Sequence, residues 1–63
     1  MNSIKVAREK AGLSQSALGE LIGYDQATIC RLENGKQRVS VDQLRDIAEA
    51  LGVTANRLLK QAA

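Results

Sequence analysis

Phenylalanine, tryptophan, proline and histidine are absent from this 63-residue chain, and tyrosine and cysteine occur once each. Without Phe or Trp the core must be aliphatic, and there is no aromatic platform on which to stack single-stranded bases. The lack of His removes the usual metal ligand and proton shuttle. The lone Cys30 excludes an internal disulfide, and with no His it also excludes a structural zinc site. No metal and no cofactor are therefore expected. The same absences argue against an enzyme: no nucleophile–base pair is in view, and so small a chain has little room for a pocket for a small-molecule substrate. No apolar run approaches the roughly 20 residues of a membrane span, and no signal peptide precedes the polar start. No membrane partner is expected, and the expected location is cytoplasmic.

What is present is helix-forming. Hydrophobic residues make up 44% of the chain, apolar positions recur at helical spacing, and no period-2 alternation interrupts them. The pattern predicts an all-α fold, a compact five-helix bundle in a single domain over residues 1–63. The first helix is expected to start with Asn2 or Ser3 as its cap and to run to Ala11, with Ile4, Ala7 and Ala11 on one face and Gly12 as its stop. Ser14 caps the second helix, which holds Leu18 and Ile22 and ends at Gly23. Asp25 caps the third, which ends at Asn34-Gly35. Ser40 and Gln43 form a capping box for the fourth, with Leu44, Ile47, Ala48 and Leu51 at core spacing and Gly52 as terminator. Thr54 caps a last short helix carrying Leu58 and Leu59.

The richest stretch is Gln15–Asn34, QSALGELIGYDQATICRLEN, which reads as two short helices joined by a Gly-containing turn. Such a pair matches the helix-turn-helix motif, whose second helix enters the DNA major groove. At about 100° per residue, Thr28, Ile29, Leu32 and Glu33 share one side of that second helix. Gln26, Ala27, Cys30, Arg31 and Asn34 share the other. An amide, a small apolar residue and a guanidinium are groups that reach base edges, a thymine methyl or a phosphate. A Gln amide can donate to and accept from adenine at once, which makes Gln26 the leading base reader. Ordinary solvation is the competing account of this face.

Net charge is only +2, which by itself does not imply nucleic acid. Its distribution is more telling: residues 1–38 hold six basic and four acidic side chains, and residues 39–63 hold three of each. Lys36 and Arg38 follow directly on the third helix.

With REKAGLSQSALGELIG, TICRLENGK and VSVDQLRDIAEALGV in view, the chain resembles the lambda-repressor and Cro-like family of DNA-binding domains from Ile4 to Leu59. The resemblance implies five helices, a two-fold homodimer on DNA, and palindromic double-stranded operators bound to regulate transcription, usually as a repressor. It implies base contacts from Gln26, Ala27 and Arg31, and backbone contacts from Gln15, Asn34, Lys36 and Arg38. It also implies that Gln15 braces the recognition helix and that Arg8 and Glu33 form a structural ion pair. Two positions depart from the family pattern. Gly19 stands where Ala is common, and Asp25 stands where a neutral cap is common.

Further readings concern single residues. Cys30 is expected to be a small, half-buried spacer in preference to a redox switch, because no neighbouring His or Lys is placed to activate its thiol. Tyr24 is expected at the surface of the turn, with its hydroxyl within reach of a phosphate. The segment from Leu51 to Arg57 is the candidate dimer patch, with Val53, Asn56 and Arg57 as its contacts. The alternative function is a protein-interaction domain with vestigial DNA binding. The near absence of aromatic residues weighs against it.

Overall fold

Nearly every apolar stretch in this chain carries its own start and stop signal, so the helices are short and their ends well defined. In the computed structural model, which describes residues 1–62 and side chains as far as Leu59, five helices follow one another without a strand. They are α1 (Asn2–Lys10), α2 (Gln15–Ile22), α3 (Gln26–Glu33), α4 (Val41–Leu51) and α5 (Ala55–Ala62). Ala63, the last residue of the expected domain, lies outside the described residues.

The Ser14 hydroxyl accepts from the Ala17 amide, the Asp25 carboxylate from Thr28, and the Thr54 hydroxyl from Arg57. Ser40 and Gln43 close a reciprocal capping box. Each cap satisfies an amide that the helix cannot. Gly23 and Gly52 end α2 and α4 at φ 78° and 71°, a left-handed conformation that costs a side-chain-bearing residue more than glycine.

The start of α1 departs from expectation. Neither Asn2 nor Ser3 caps it; Met1 holds the cap position without a side-chain bond, and the helix ends at Lys10 with Ala11 exposed. Tertiary structure accounts for the difference. The Met1 nitrogen donates to the carbonyls of Leu32 and Glu33, the last turn of α3, which draws the start of the chain inward. Ser3 is buried, and its hydroxyl has no partner among the described residues.

Every helix contributes to one aliphatic core: Ile4, Leu18, Ile29, Leu32, Leu44, Ile47, Ala48 and Leu58. Ile22, Tyr24, Val39, Leu51 and Val53 flank it, half-buried. Leu59 is 52% exposed, so of the pair expected in the last helix only Leu58 enters the core. Tyr24 departs in part from expectation: it is half-buried and packs against the core. Burial raises its phenol above the ordinary tyrosine value, and the nearby charge of Asp46 adds to the effect. A phosphate would meet that acidic neighbourhood as repulsion.

Two features set the position of α3. The first is the turn before it. Gly19 is buried, the Tyr24 amide donates to its carbonyl at 2.8 Å, and a Cβ on Gly19 would stand 2.3 Å from the Tyr24 carbonyl oxygen. The second is Glu33 at its end. Arg8 Nε donates to Glu33 Oε2 at 2.6 Å and Arg8 Nη2 to Oε1 at 3.2 Å, while Gln15 Nε2 donates to Oε1 at 3.1 Å. Arg8 Nη1 donates onward to the Leu13 carbonyl at 2.7 Å. Both charged residues are buried, which raises the cost of separating them.

Two stability measurements follow. Gly19→Ala gains about 1 kcal/mol of helix propensity but forces the Tyr24 carbonyl aside. We expect a net loss of about 1–3 kcal/mol in urea unfolding; a stabilised variant would show that the turn yields freely. Arg8→Ala should cost about 2–4 kcal/mol, because Glu33 is left buried with Gln15 alone. Thermal melts of Arg8→Ala, Glu33→Gln and the double variant should be non-additive by about 0.5–3 kcal/mol. Strict additivity would mean the contact carries no coupling.

Candidate nucleic-acid interface

Packing of Ile29 and Leu32 into the core turns the opposite side of α3 outward. Gln26, Ala27, Arg31 and Asn34 are exposed there, and Cys30 is half-buried. The face is cross-linked by side-chain hydrogen bonds. The Ser16 hydroxyl donates to Gln26 Oε1 at 2.9 Å, joining the first turn of α2 to the first turn of α3. Arg31 Nε donates to Gln37 Oε1 at 3.1 Å, and Arg31 Nη2 donates to Thr28 Oγ1 at 3.1 Å. Asn34 Nδ2 lies 3.2 Å from Cys30 Sγ.

The loop after α3 extends this surface. The Lys36 amide bonds the Arg31 carbonyl at 3.0 Å, which folds the loop back on the helix. Lys36 and Arg38 are exposed on it, and Gln37 is half-buried. Gln15 lies apart from this group. It is half-buried, with one amide proton committed to Glu33. Its bracing of α3 is thus a direct bond, and only its second amide proton is left for an outside acceptor.

Charge at the entrance to α3 is arranged by Asp25. Hydrogen bonds from Thr28 hold its carboxyl below the usual carboxylate range, with Arg31 contributing less. Its negative charge sits where the helix dipole is positive, so it acts as a dipole-compensating cap.

Three members of this surface were not singled out from the sequence: Ser16, Thr28 and Gln37. Thr28 was grouped with the core side, yet it stands three residues before Arg31, and i, i+3 residues are neighbours on a helix. That spacing was a legible signal. Ser16 and Gln37 reach the face only through the angle between helices and the path of a loop, which no local pattern encodes.

The residues expected to join two chains lie elsewhere. Val53 is half-buried against the core, and Asn56 and Arg57 are exposed at the start of α5. Beside them a shallow groove of about 240 Å³ is lined by Ala7, Lys10, Ala11, Leu51, Val53 and Arg57. Among the described residues, no group of His, Cys, Asp and Glu is placed to hold a metal ion, and no helix is long and apolar enough to cross a membrane.

Known proteins are similar to this chain in sequence or in fold. Control protein C.MunI of Mycoplasma sp is 37% identical over 54 residues, which cover 86% of this chain and 73% of that protein. The crystal structure of the clp gene regulator ClgR from C. glutamicum superimposes with a TM-score of 0.91 at 25% identity, covering 95% of this chain and 78% of that one. The solution structure of the DNA-binding domain of the P22 c2 repressor gives a TM-score of 0.86 at 28% identity, covering 92% and 76%. The helix-turn-helix family model matches residues 4–58. From Ile4 to Leu58, through the turn held by Gly19 and the helix anchored by Glu33, the chain belongs to the helix-turn-helix family of lambda-repressor and Cro-like domains.

Proposed function

We propose that this chain is a sequence-specific, double-stranded DNA-binding regulator of transcription that lays α3 in the major groove. The observation that carries the reading is the outward side of α3. Gln26, Ala27, Arg31 and Asn34 are exposed together, carry no acidic residue among them, and run into the exposed cations Lys36 and Arg38. The likeness to a control protein, a gene regulator and a repressor's DNA-binding domain supports it.

In this reading Gln26, Ala27 and Arg31 meet base edges, and Lys36, Arg38, Asn34 and the free amide proton of Gln15 meet the backbone. The chemistry is binding, not catalysis. One recognition helix covers only a few base pairs, so useful specificity needs two half-sites about one helical turn apart. Hence the reading includes a homodimer on a palindromic operator, joined through Val53, Asn56 and Arg57. Repression follows wherever such an operator overlaps a promoter, because the bound protein excludes polymerase.

Binding to duplex DNA should weaken with salt. Two or three cations per chain at phosphates give a log–log slope of roughly −3 to −6 per dimer, measurable by fluorescence anisotropy. Absence of binding at low salt would overturn the reading. Gln26→Ala should relax base preference at one position per half-site, at a cost of about 1–3 kcal/mol. Lys36→Ala should weaken all sequences about equally. Identical specificity profiles for the two variants would remove base readout from Gln26.

Assembly is testable separately. Sedimentation should show mainly monomer at low micromolar concentration and two chains on a palindromic duplex. Replacing Asn56 or Arg57 with Glu should lower cooperativity between half-sites and leave half-site affinity nearly intact. Independent filling of the two half-sites by the unaltered protein would count against the dimer patch.

A further inference from the structure

The hydrogen bonds on the outer face of α3 restrict what its two leading readers can recognise. A glutamine amide offers both a donor and an acceptor, and so suits adenine, which presents N6–H and N7. In this chain the oxygen is already anchored: one of the two lone pairs of Gln26 Oε1 takes the Ser16 hydroxyl proton at 2.9 Å. The amide is then anchored by its oxygen to α2, with both Nε2 protons unspent. Arg31 is held in a comparable way by Gln37 at Nε and by Thr28 at Nη2. Three of its five N–H groups, both on Nη1 and one on Nη2, stay free.

We propose that Ser16 and Gln37 are positioning residues for base readout: Ser16 holds Gln26 by its oxygen and leaves Nε2 as its reading group, Gln37 fixes the donor fork of Arg31, and both readers then select guanine. The inference rests on the DNA-binding reading above and deepens it. Guanine presents O6 and N7 as two neighbouring acceptors in the major groove. Two free protons on Gln26 Nε2, or the free fork of Arg31, match that pair. Adenine would place its N6 donor against donors, and cytosine its N4 donor. Thymine offers a single acceptor, O4. Both anchoring bonds are exposed to water in the free protein. In a groove that excludes water they strengthen, because the competing solvent is gone.

Neither anchor belongs to the core, so both can be changed without unfolding the chain. Ser16 is exposed on the first turn of α2, and Gln37 is half-buried in a loop. Selection from random duplexes, run in parallel on the unaltered chain and on Ser16→Ala, Ser16→Thr, Gln37→Ala, Gln26→Ala and Arg31→Ala, tests the assignment. The last two variants identify the base positions by the preference each one erases.

At both positions the unaltered chain should select guanine. Ser16→Ala should free the Gln26 oxygen and narrow the guanine-over-adenine preference there by about tenfold, with the other positions unchanged. Ser16→Thr, which keeps the hydroxyl, should restore it. Gln37→Ala should blur preference only at the Arg31 position. Adenine at the Gln26 position of the unaltered chain would overturn the inference and leave DNA binding standing. So would a uniform loss of affinity in Ser16→Ala with an unchanged base profile. Failure of the unaltered chain to bind any duplex at low salt would overturn the underlying function itself.

Discussion

A buried carboxylate at the wrong end of a helix governs this molecule. Glu33 is the last residue of α3, where the helix dipole is already negative, and it is only 5% exposed. Both circumstances carry an energetic cost, so its position is tenable only with several donors around it. Arg8 from α1 and Gln15 from α2 supply them, and the Met1 nitrogen engages the carbonyls beside it. Satisfying one acid therefore draws two other helices to the end of α3. An apolar residue in its place could pack as well but would not demand a bidentate guanidinium from one direction and an amide from another. What Glu33 contributes is orientation more than stability.

Orientation matters because the helices cannot stand alone. They run from 8 to 11 residues, and isolated helices shorter than about 12–15 residues are marginal in water. The recognition surface thus exists only while Ile29 and Leu32 are docked in the core. Its entry is set by the close contact of Gly19 with the Tyr24 carbonyl, and its exit by Glu33. Between those two points α3 has little freedom to rock, which suits a helix whose side chains must meet base edges in a defined register.

Much of this was legible in the chain, for a physical reason. Caps and stops are local: Ser14, Asp25, Ser40 and Thr54 act within three residues of themselves, and the glycines that end helices act on their own backbone. The core stripe was legible because helical periodicity is local too. The Arg8–Glu33 pair was reachable only through family resemblance, since its partners are 25 residues apart. The start of α1 was misread because its cap is replaced by a bond to α3. Tyr24 differs because a turn residue usually faces water, and here it is half-buried against the core. Ser16 and Gln37 went unnoticed for a related reason, since their partners become neighbours only after α2, α3 and the loop have taken their places. Contacts created by tertiary geometry leave no local trace in the chain.

The two helix N-termini on the interface side differ in a way that bears on how a polyanion would approach. At α3 the ionised Asp25 offsets the positive end of the dipole. At α2 the cap is the neutral Ser14, and the first turn carries no acid. The partial positive charge of α2 is therefore uncompensated, with the free amide proton of Gln15 nearby. By charge alone, an anion is repelled less at the start of α2 than at the start of α3. That asymmetry suits a motif in which one helix is held against the backbone and the next is offered to the bases. The departure at Asp25, which stands where a neutral cap is common, has a consistent role here. It discourages the tip of α3 from binding a phosphate.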